Sequence, residues 1–264
     1  MTTAASHTDS VHLFGLPIQC LDFHTANQEL LKVASERRHR SRIVVTPNVD
    51  HVVKLDQQPE FKQLYITSDY IFADGMPIVW ASKMTPSPLP ERVTGADLFV
   101  SLCRDCVEQQ MSIFILGGQP GQEQMLRDAF AITYPRLKVS IFCPSMQFDT
   151  EGAEGEEAIR QIQNAQPNIL FVCLGMPKQE RFAFKYREQF TDNNVPLILC
   201  VGAAMEFALG QKKRAPLWMQ KIGMEWSWRL ATEPRRLWQR YTTQGWKFLG
   251  LLRKEYQIQK SHRP

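Results

Sequence analysis

The stretch SIFILGGQPGQEQML, Ser112–Leu126, decides the fold class. Its first half is a short run of Ile, Phe and Leu with no polar alternation, which suits a strand covered on both faces. Gly117 and Gly118 then break the run, and Gln122 to Thr133 has the spacing of a helix. Strand, glycine turn and helix in that order form the opening of a βαβ unit. Similar runs occur on either side: Arg42–Thr46 (RIVVT), Tyr70–Ala73, Lys138–Phe142, Asn168–Leu174 (NILFVCL) and Pro196–Val201 (PLILCV). Helical stretches such as Glu154–Gln163 separate them, so the expected class is α/β, a Rossmann-like, mostly parallel sheet flanked by helices. The pattern stops near Gly210, which gives an expected α/β domain over 1–210 and a basic helical appendage over 211–264.

That boundary coincides with a break in charge. From residue 211 onward, thirteen Lys and Arg face three acids, a net +10, whereas the first 210 residues carry 18 bases and 24 acids, a net −6. Five of the six tryptophans also lie beyond Gly210. Basic helices with interfacial aromatics bind anionic bilayers without crossing them, so the expected partner is an anionic membrane surface. Nucleic acid is the weaker rival for such a segment, and packing within an oligomer is the structural alternative. The longest strongly apolar run, Pro196–Met205, is half of what a spanning helix needs, about 20 residues. The polar start, Met1–Ser10, has neither the basic opening nor the apolar core of a secretory signal. The expected location is therefore cytoplasmic and peripheral. Six dispersed cysteines fit a reducing compartment, and Cys103 with Cys106 lacks the second pair or histidine that would complete a zinc site.

In parallel sheets ligands bind outside the carboxyl ends of the strands. The residues at those ends are chemically rich. Thr46 and Asn48 follow the first run and can hold a sugar or base, or cap the helix starting near Asp50. Asp74, followed by Gly75, is a general-base candidate or an ordinary Asp-Gly turn. Gly117 and Gly118 can admit a pyrophosphate to backbone N–H groups, or simply form a tight turn. Arg92 precedes a helix start with Thr94 as N-cap and Asp97 three residues on, and it can reach a phosphate. Lys178 and Gln179 stand at another strand-to-helix turn, and Glu206 follows the last one. The chain contains no HExxH and no Asp-x-Asp pair, so no metal and no cofactor is expected. A departing nucleotide diphosphate would then rely on arginines, lysines and helix N-termini. The missing GxGxxG argues against a nicotinamide-dependent oxidoreductase.

These residues sit in blocks that resemble the WecG/TagA/CpsF glycosyltransferases of bacterial surface-polymer synthesis. The blocks are TPNVDHVVKL (Thr46–Leu55), FADGMPIVWASK (Phe72–Lys83), ERVTGADLF (Glu91–Phe99), LGGQPG (Leu116–Gly121), LGMPKQERF (Leu174–Phe182) and Val201–Tyr241. The resemblance implies an inverting, metal-independent transfer of a sugar from a UDP-sugar to a polyprenyl-diphosphate-linked acceptor at the cytoplasmic face. It implies that Asp74 is the general base, that Thr46 and Asn48 are active-site polar groups, and that Arg92 and Gln179 line the cleft. It also assigns diphosphate and membrane contact to the block carrying Arg214, Arg229, Arg235 and Arg236, an appendage expected to close over the cleft at the membrane or in a monomer. Where the family commonly has Asp, this chain has Glu206, which keeps the charge and lengthens the reach. The donors implied are UDP-N-acetylmannosamine, its uronic acid or UDP-glucose. The non-enzymatic alternative is an inactive nucleotide-binding scaffold at the membrane.

Overall fold

A computed structural model describes residues 10–36, 40–211, 215–216, 218–219 and 223–261 of the chain. Its elements run β1 (Ser10–Leu13), β2 (Leu16–Gln19), α1 (Phe23–Ser35), β3 (Arg42–Val45), α2 (Val49–Gln57), α3 (Pro59–Tyr65), β4 (Tyr70–Ile71) and α4 (Met76–Ser82). They continue with α5 (Gly95–Glu108), β5 (Ser112–Gly117), α6 (Glu123–Thr133), β6 (Lys138–Phe142), α7 (Ala153–Ala165) and β7 (Ile169–Cys173). The remainder is α8 (Lys178–Lys185), α9 (Arg187–Asp192), β8 (Leu197–Cys200), α10 (Ala204–Ala208), α11 (Glu225–Thr232) and α12 (Pro234–Ser261). The class is α/β, with parallel strands, helices packed against them and a long C-terminal helix. Two compact units divide it: Met1–Phe23, Pro47–Val93 and Arg214–Pro264 form the first, and His24–Thr46 with Thr94–Lys213 the second.

The second unit holds parallel strands in the order β3-β8-β7-β5-β6. Their side chains are almost all buried, from Ile43, Val44 and Val45 through Phe114 and Phe171 to Leu197–Cys200, which is why these runs do not alternate. Parallel neighbours cannot be joined by a hairpin, and helices such as α6 and α7 make the crossovers. The chain steps from β5 outward to β6 and then returns to β7 on the other side of β5. The loops after β5 and β7 therefore flank the point where the winding reverses, the usual crevice of such sheets. At that point Gly117 (φ +153°) lies in register with Cys173, and a Cβ on it would stand 2.6 Å from the Cys173 Cβ. Only glycine allows the two loops to approach so closely.

The first unit contains a feature that composition does not announce, the hairpin β1–β2, paired from Ser10↔Gln19 to Leu13↔Leu16. Its two-residue turn is Phe14–Gly15, with φ of 56° and 71°, as a type I′ turn requires. Leu13, Leu16 and Ile18 are fully buried beneath it. Helix α12, 28 residues and about 42 Å long, docks on this hairpin. The Phe14 N–H donates to Glu255 Oε2 at 2.9 Å, the Phe14 and Phe248 rings lie 5.4 Å apart, and Gln259 donates to the His12 carbonyl. Phe248 and Glu255 are seven residues apart, so one stripe of α12 makes both contacts. Closer to the start of the tail, Gly223 (φ +76°) passes over α4, where a Cβ would stand 2.7 Å from Met76 and 2.8 Å from Trp80. The tail is thus integral to this unit, built from three chain segments.

Candidate active site

Three loop ends of the first unit are tied by backbone hydrogen bonds. The Asp74 N–H donates to the Pro47 carbonyl at 2.9 Å, and the Val93 N–H donates to the Ala73 carbonyl at 3.1 Å. These two bonds bring Asn48, Asp74 and Arg92, well separated in sequence, to the lining of one cavity of about 570 Å³. Such a volume is that of a small-molecule site. Asn48 caps α2, its Oδ1 accepting from the His51 N–H at 3.2 Å, so the capping alternative is realised while the residue also lines the cavity. Gly75 lies beside it, a Cβ there meeting Asn48 Cβ at 3.9 Å, and α4 starts immediately after. The Asp74 carboxyl therefore leaves the chain at a turn into a helix, with no bulky neighbour on the following residue.

Arg92 is not a bare cation. Its Nη1 donates to Glu225 Oε2 at 2.8 Å, and both side chains are largely buried, at 14% and 12% exposure. Glu225 opens α11 and was not among the residues marked by sequence, because nothing near it in the chain reports a partner 133 positions away. The rest of the lining includes the polar Asp50, Thr242 and Gln244 and an apolar set, Met76 and Pro77 of α4, Trp226 of α11, and Trp246, Phe248 and Leu249 of α12. Burial of an ion pair costs solvation, offset here by the short charge-assisted hydrogen bond.

The second unit gathers another set at the carboxyl ends of its strands. Gln179 Oε1 accepts from the N–H groups of Gly175 at 3.1 Å and Gly202 at 2.9 Å, and its Nε2 donates to Glu180 at 2.9 Å. One buried amide thus holds the turns after β7 and β8 in place. Gly118 (φ +99°) packs where a Cβ would meet Cys143 Sγ at 2.9 Å and Met205 at 3.6 Å. Thr46 is buried at the end of β3, with its hydroxyl 2.9 Å from where a Cβ on Gly95 would sit, at the first turn of α5. That helix start follows the expected capping, since Thr94 Oγ1 accepts from the Asp97 N–H at 3.0 Å and donates to the Asp97 carboxylate. Lys178 reaches the Met146 carbonyl. Glu206 lies on α10, where its charge adds to the burial that pushes the Cys173 thiol up to about 12.

Among the tail arginines, Arg235 is exposed on α12. Arg229 falls on α11 and Arg236 on α12, with side chains outside the described residues, and Arg214 lies outside them altogether. Asn48, Asp74 and Arg92 are therefore brought to one cavity, and Gly117, Gly118 and Gln179 to the strand ends of the second unit.

Comparison with known proteins adds identity to this geometry. Over 232 residues the chain is 28% identical to an N-acetylglucosaminyldiphosphoundecaprenol N-acetyl-beta-D-mannosaminyltransferase of Bacillus spizizenii, covering 85% of each chain. Proteins of the same name match from Bacillus subtilis, at 26% identity over 75% of this chain and 74% of theirs, and from Staphylococcus aureus, at 24% over 88% of each. The family described as "Glycosyl transferase WecG/TagA/CpsF family" matches residues 11–262. With the match running almost from end to end, the chain belongs to the WecG/TagA/CpsF family of glycosyltransferases.

Proposed function

We propose that this protein moves an N-acetylmannosamine-type or glucose-type sugar from a UDP-sugar to a polyprenyl-diphosphate-linked acceptor, with inversion and without a metal ion, in surface polysaccharide or teichoic acid synthesis. The observation that carries this reading is the cavity shared by Asn48, Asp74 and Arg92 in a glycosyltransferase chain whose relatives are named for a diphosphoundecaprenol acceptor.

In this reading Asp74 accepts the proton of the acceptor hydroxyl as that oxygen bonds to the anomeric carbon. The bond from that carbon to the UDP oxygen breaks from the opposite face, and UDP leaves with the electron pair. Asn48 orients the acceptor beside Asp74. Within the second unit, Gly117 and Gly118 are the backbone candidates for nucleotide contact, and Gln179 keeps the neighbouring turns in position. Negative charge on the leaving diphosphate is met by guanidinium groups of the appendage, Arg214, Arg229, Arg235 and Arg236, while Arg92, in the cavity with Asp74, faces the acceptor's own diphosphate. Support for a metal-free route comes from the sequence, which has no Asp-x-Asp pair to hold a divalent ion against a diphosphate. The basic, tryptophan-rich appendage, residues 211–264, holds the enzyme on the anionic inner face of the membrane.

A panel of UDP-sugars, offered with an N-acetylglucosaminyl diphosphate on a short lipid and read by mass spectrometry, tests the reaction. One donor yields a product heavier by one sugar, in chelator as well as without it, and NMR finds its new linkage opposite in anomeric configuration to the donor. Absence of product with every donor overturns the function. A product of retained configuration, or one lost on chelation, overturns the mechanism.

A further inference from the structure

The cavity of the first unit has an apolar lining that proton transfer and diphosphate binding do not require. Beside Asn48, Asp74 and the Arg92–Glu225 pair it is lined by large apolar side chains, several of them exposed. Phe248 is the buried member of this apolar set, its ring tilted against that of Phe14. Trp226, Trp246 and Leu249 stand at the rim with exposures of 46%, 77% and 55%. Such exposure of large apolar groups next to a cleft marks a surface that a ligand or partner covers. The rim belongs to two different helices, α11 and α12, so it is no accident of one amphipathic stripe. A second observation points into the same cavity. Gln244 lines it, and its Oε1 is buried without a hydrogen-bond partner, an acceptor that a hydroxyl on the sugar end of the same ligand would complete, which marks the cavity as a ligand site.

We infer that the Trp226–Trp246–Leu249 rim and the Phe248 wall are a subsite for the first isoprene units of the acceptor's lipid, entered from the diphosphate end. The inference rests on the acceptor proposed above and adds which part of that acceptor the tail recognises. Its logic is chemical: an ionised diphosphate needs the guanidinium end of the cavity, and the hydrocarbon attached directly to it must then lie on the neighbouring apolar wall. The Arg92 guanidinium gives Nη1 to Glu225, and with five N–H donors in all it can share itself with a phosphate. A cavity of about 570 Å³ takes only the head and the start of a long polyprenyl chain, whose remainder leaves over the exposed rim. Affinity should therefore depend on the first few isoprene units and little on those beyond.

The test uses the full chain in solution without vesicles. Binding of two diphosphates that differ only in their hydrocarbon, a farnesyl group against a methyl group, is followed by intrinsic tryptophan fluorescence and checked by calorimetry. The farnesyl compound binds about tenfold or more tightly than the methyl compound. Trp246→Ala and Leu249→Ala, both at exposed positions and so tolerated by the fold, reduce that ratio toward unity and leave the methyl compound's affinity unchanged, whereas Leu249→Met keeps the ratio. Equal binding of the two compounds by the unaltered protein overturns the subsite. So does a result in which the variants keep the full farnesyl preference, since the rim would then not touch the hydrocarbon. Transfer of sugar to a farnesyl-linked acceptor is measured separately: farnesyl preference without transfer upholds the subsite and overturns the function proposed above.

Discussion

At the scale of single residues, the proposed chemistry turns on a carboxylate and an ion pair. Asp74→Asn keeps the shape and removes the proton acceptor, so turnover should fall by about 10²–10⁴ while UDP-sugar affinity stays near that of the unaltered protein. Steady-state rates beside calorimetric donor binding check this, and near-normal turnover would remove Asp74 from the role of base. That Asp74 lines the cavity was readable because it follows a short apolar run and precedes a glycine, a local pattern. Glu225 was not, since it gains meaning only from Arg92 across 133 positions of chain. Gln179 shows the same limit from the other side: a polar residue at a strand end invites a ligand, yet its amide oxygen is engaged by Gly175 and Gly202. The cysteines support a purely packing role. Burial pushes Cys106 and Cys173 up to about 12 and Cys143 to about 11, and raises Cys103 and Cys200 well above the usual thiol range. At pH 8 a thiol of pKa about 11 is ionised in roughly one part in a thousand, so its alkylation is slow. A brief iodoacetamide pulse on the native protein should label the half-buried Cys20 first, with the buried Cys103, Cys106, Cys143 and Cys200 reacting only after denaturation. Peptide mass spectrometry reads the sites, and fast labelling at Cys103 or Cys200 would contradict the burial argument.

Among the elements, the strands of the second unit were legible because burial on both faces writes itself as unbroken Val, Ile, Leu and Phe. Expected runs and observed strands differ by a residue or so at each end, as at Asn168–Leu174 against β7, where Asn168 instead uses its side chain to receive the Ser112 N–H and hold the Ala34 carbonyl. The hairpin β1–β2 was missed for a definite reason: its turn is Phe14–Gly15, and a phenylalanine at φ 56° is no turn signal. What makes that conformation tolerable is tertiary, the Glu255 carboxylate and the Phe248 ring supplied by α12. Docking of the tail on α4 has its own requirement at Gly223, buried with φ +76° and with Met76 and Trp80 closing on its Cα. Gly223→Ala should therefore cost about 1–3 kcal/mol in backbone strain and contact. A melting temperature lower by several degrees and a weaker Arg92–Glu225 contact should follow, read by calorimetry and by hydrogen exchange across Glu225–Thr232. An unchanged melt and unchanged exchange would mean that the tail does not depend on this crossing. Gly245 and Gly250 offer the control, since a Cβ at either meets nothing, and alanine there should leave the melt unchanged or raise it slightly.

For the molecule as a whole, the break in charge near residue 210 and the division into compact units are different partitions of one chain. The tail carries +10 against −6 for the rest, yet in space it belongs with Met1–Phe23 and Pro47–Val93. Charge is written locally and so was legible, whereas a unit assembled from three segments is a property of long-range packing. The distinction changes what truncation after Gly210 should do. The second unit ends at Lys213 and retains β3, β5, β6, β7 and β8, so its parallel sheet should persist. The first unit loses α11 and α12, and with them the partner of Arg92, the ring against Phe14, the carboxylate on the Phe14 N–H and most of the apolar wall of the cavity. Hydrogen exchange on the truncated protein should show protected amides in β5, β7 and β8 and lost protection in β1, β2 and α2. Vesicle flotation should fall away with the basic residues, as it should for the full chain when salt is raised and surface charges are screened within about a Debye length. Sugar transfer should drop to background even with a water-soluble acceptor, because Asp74 would keep its backbone tether to Pro47 but lose the opposite wall. Full transfer to a soluble acceptor by the truncated chain would show that the tail only recruits the enzyme to the membrane. Loss of transfer together with an intact, fully protected hairpin would place the tail's contribution in its arginines rather than in building the cavity.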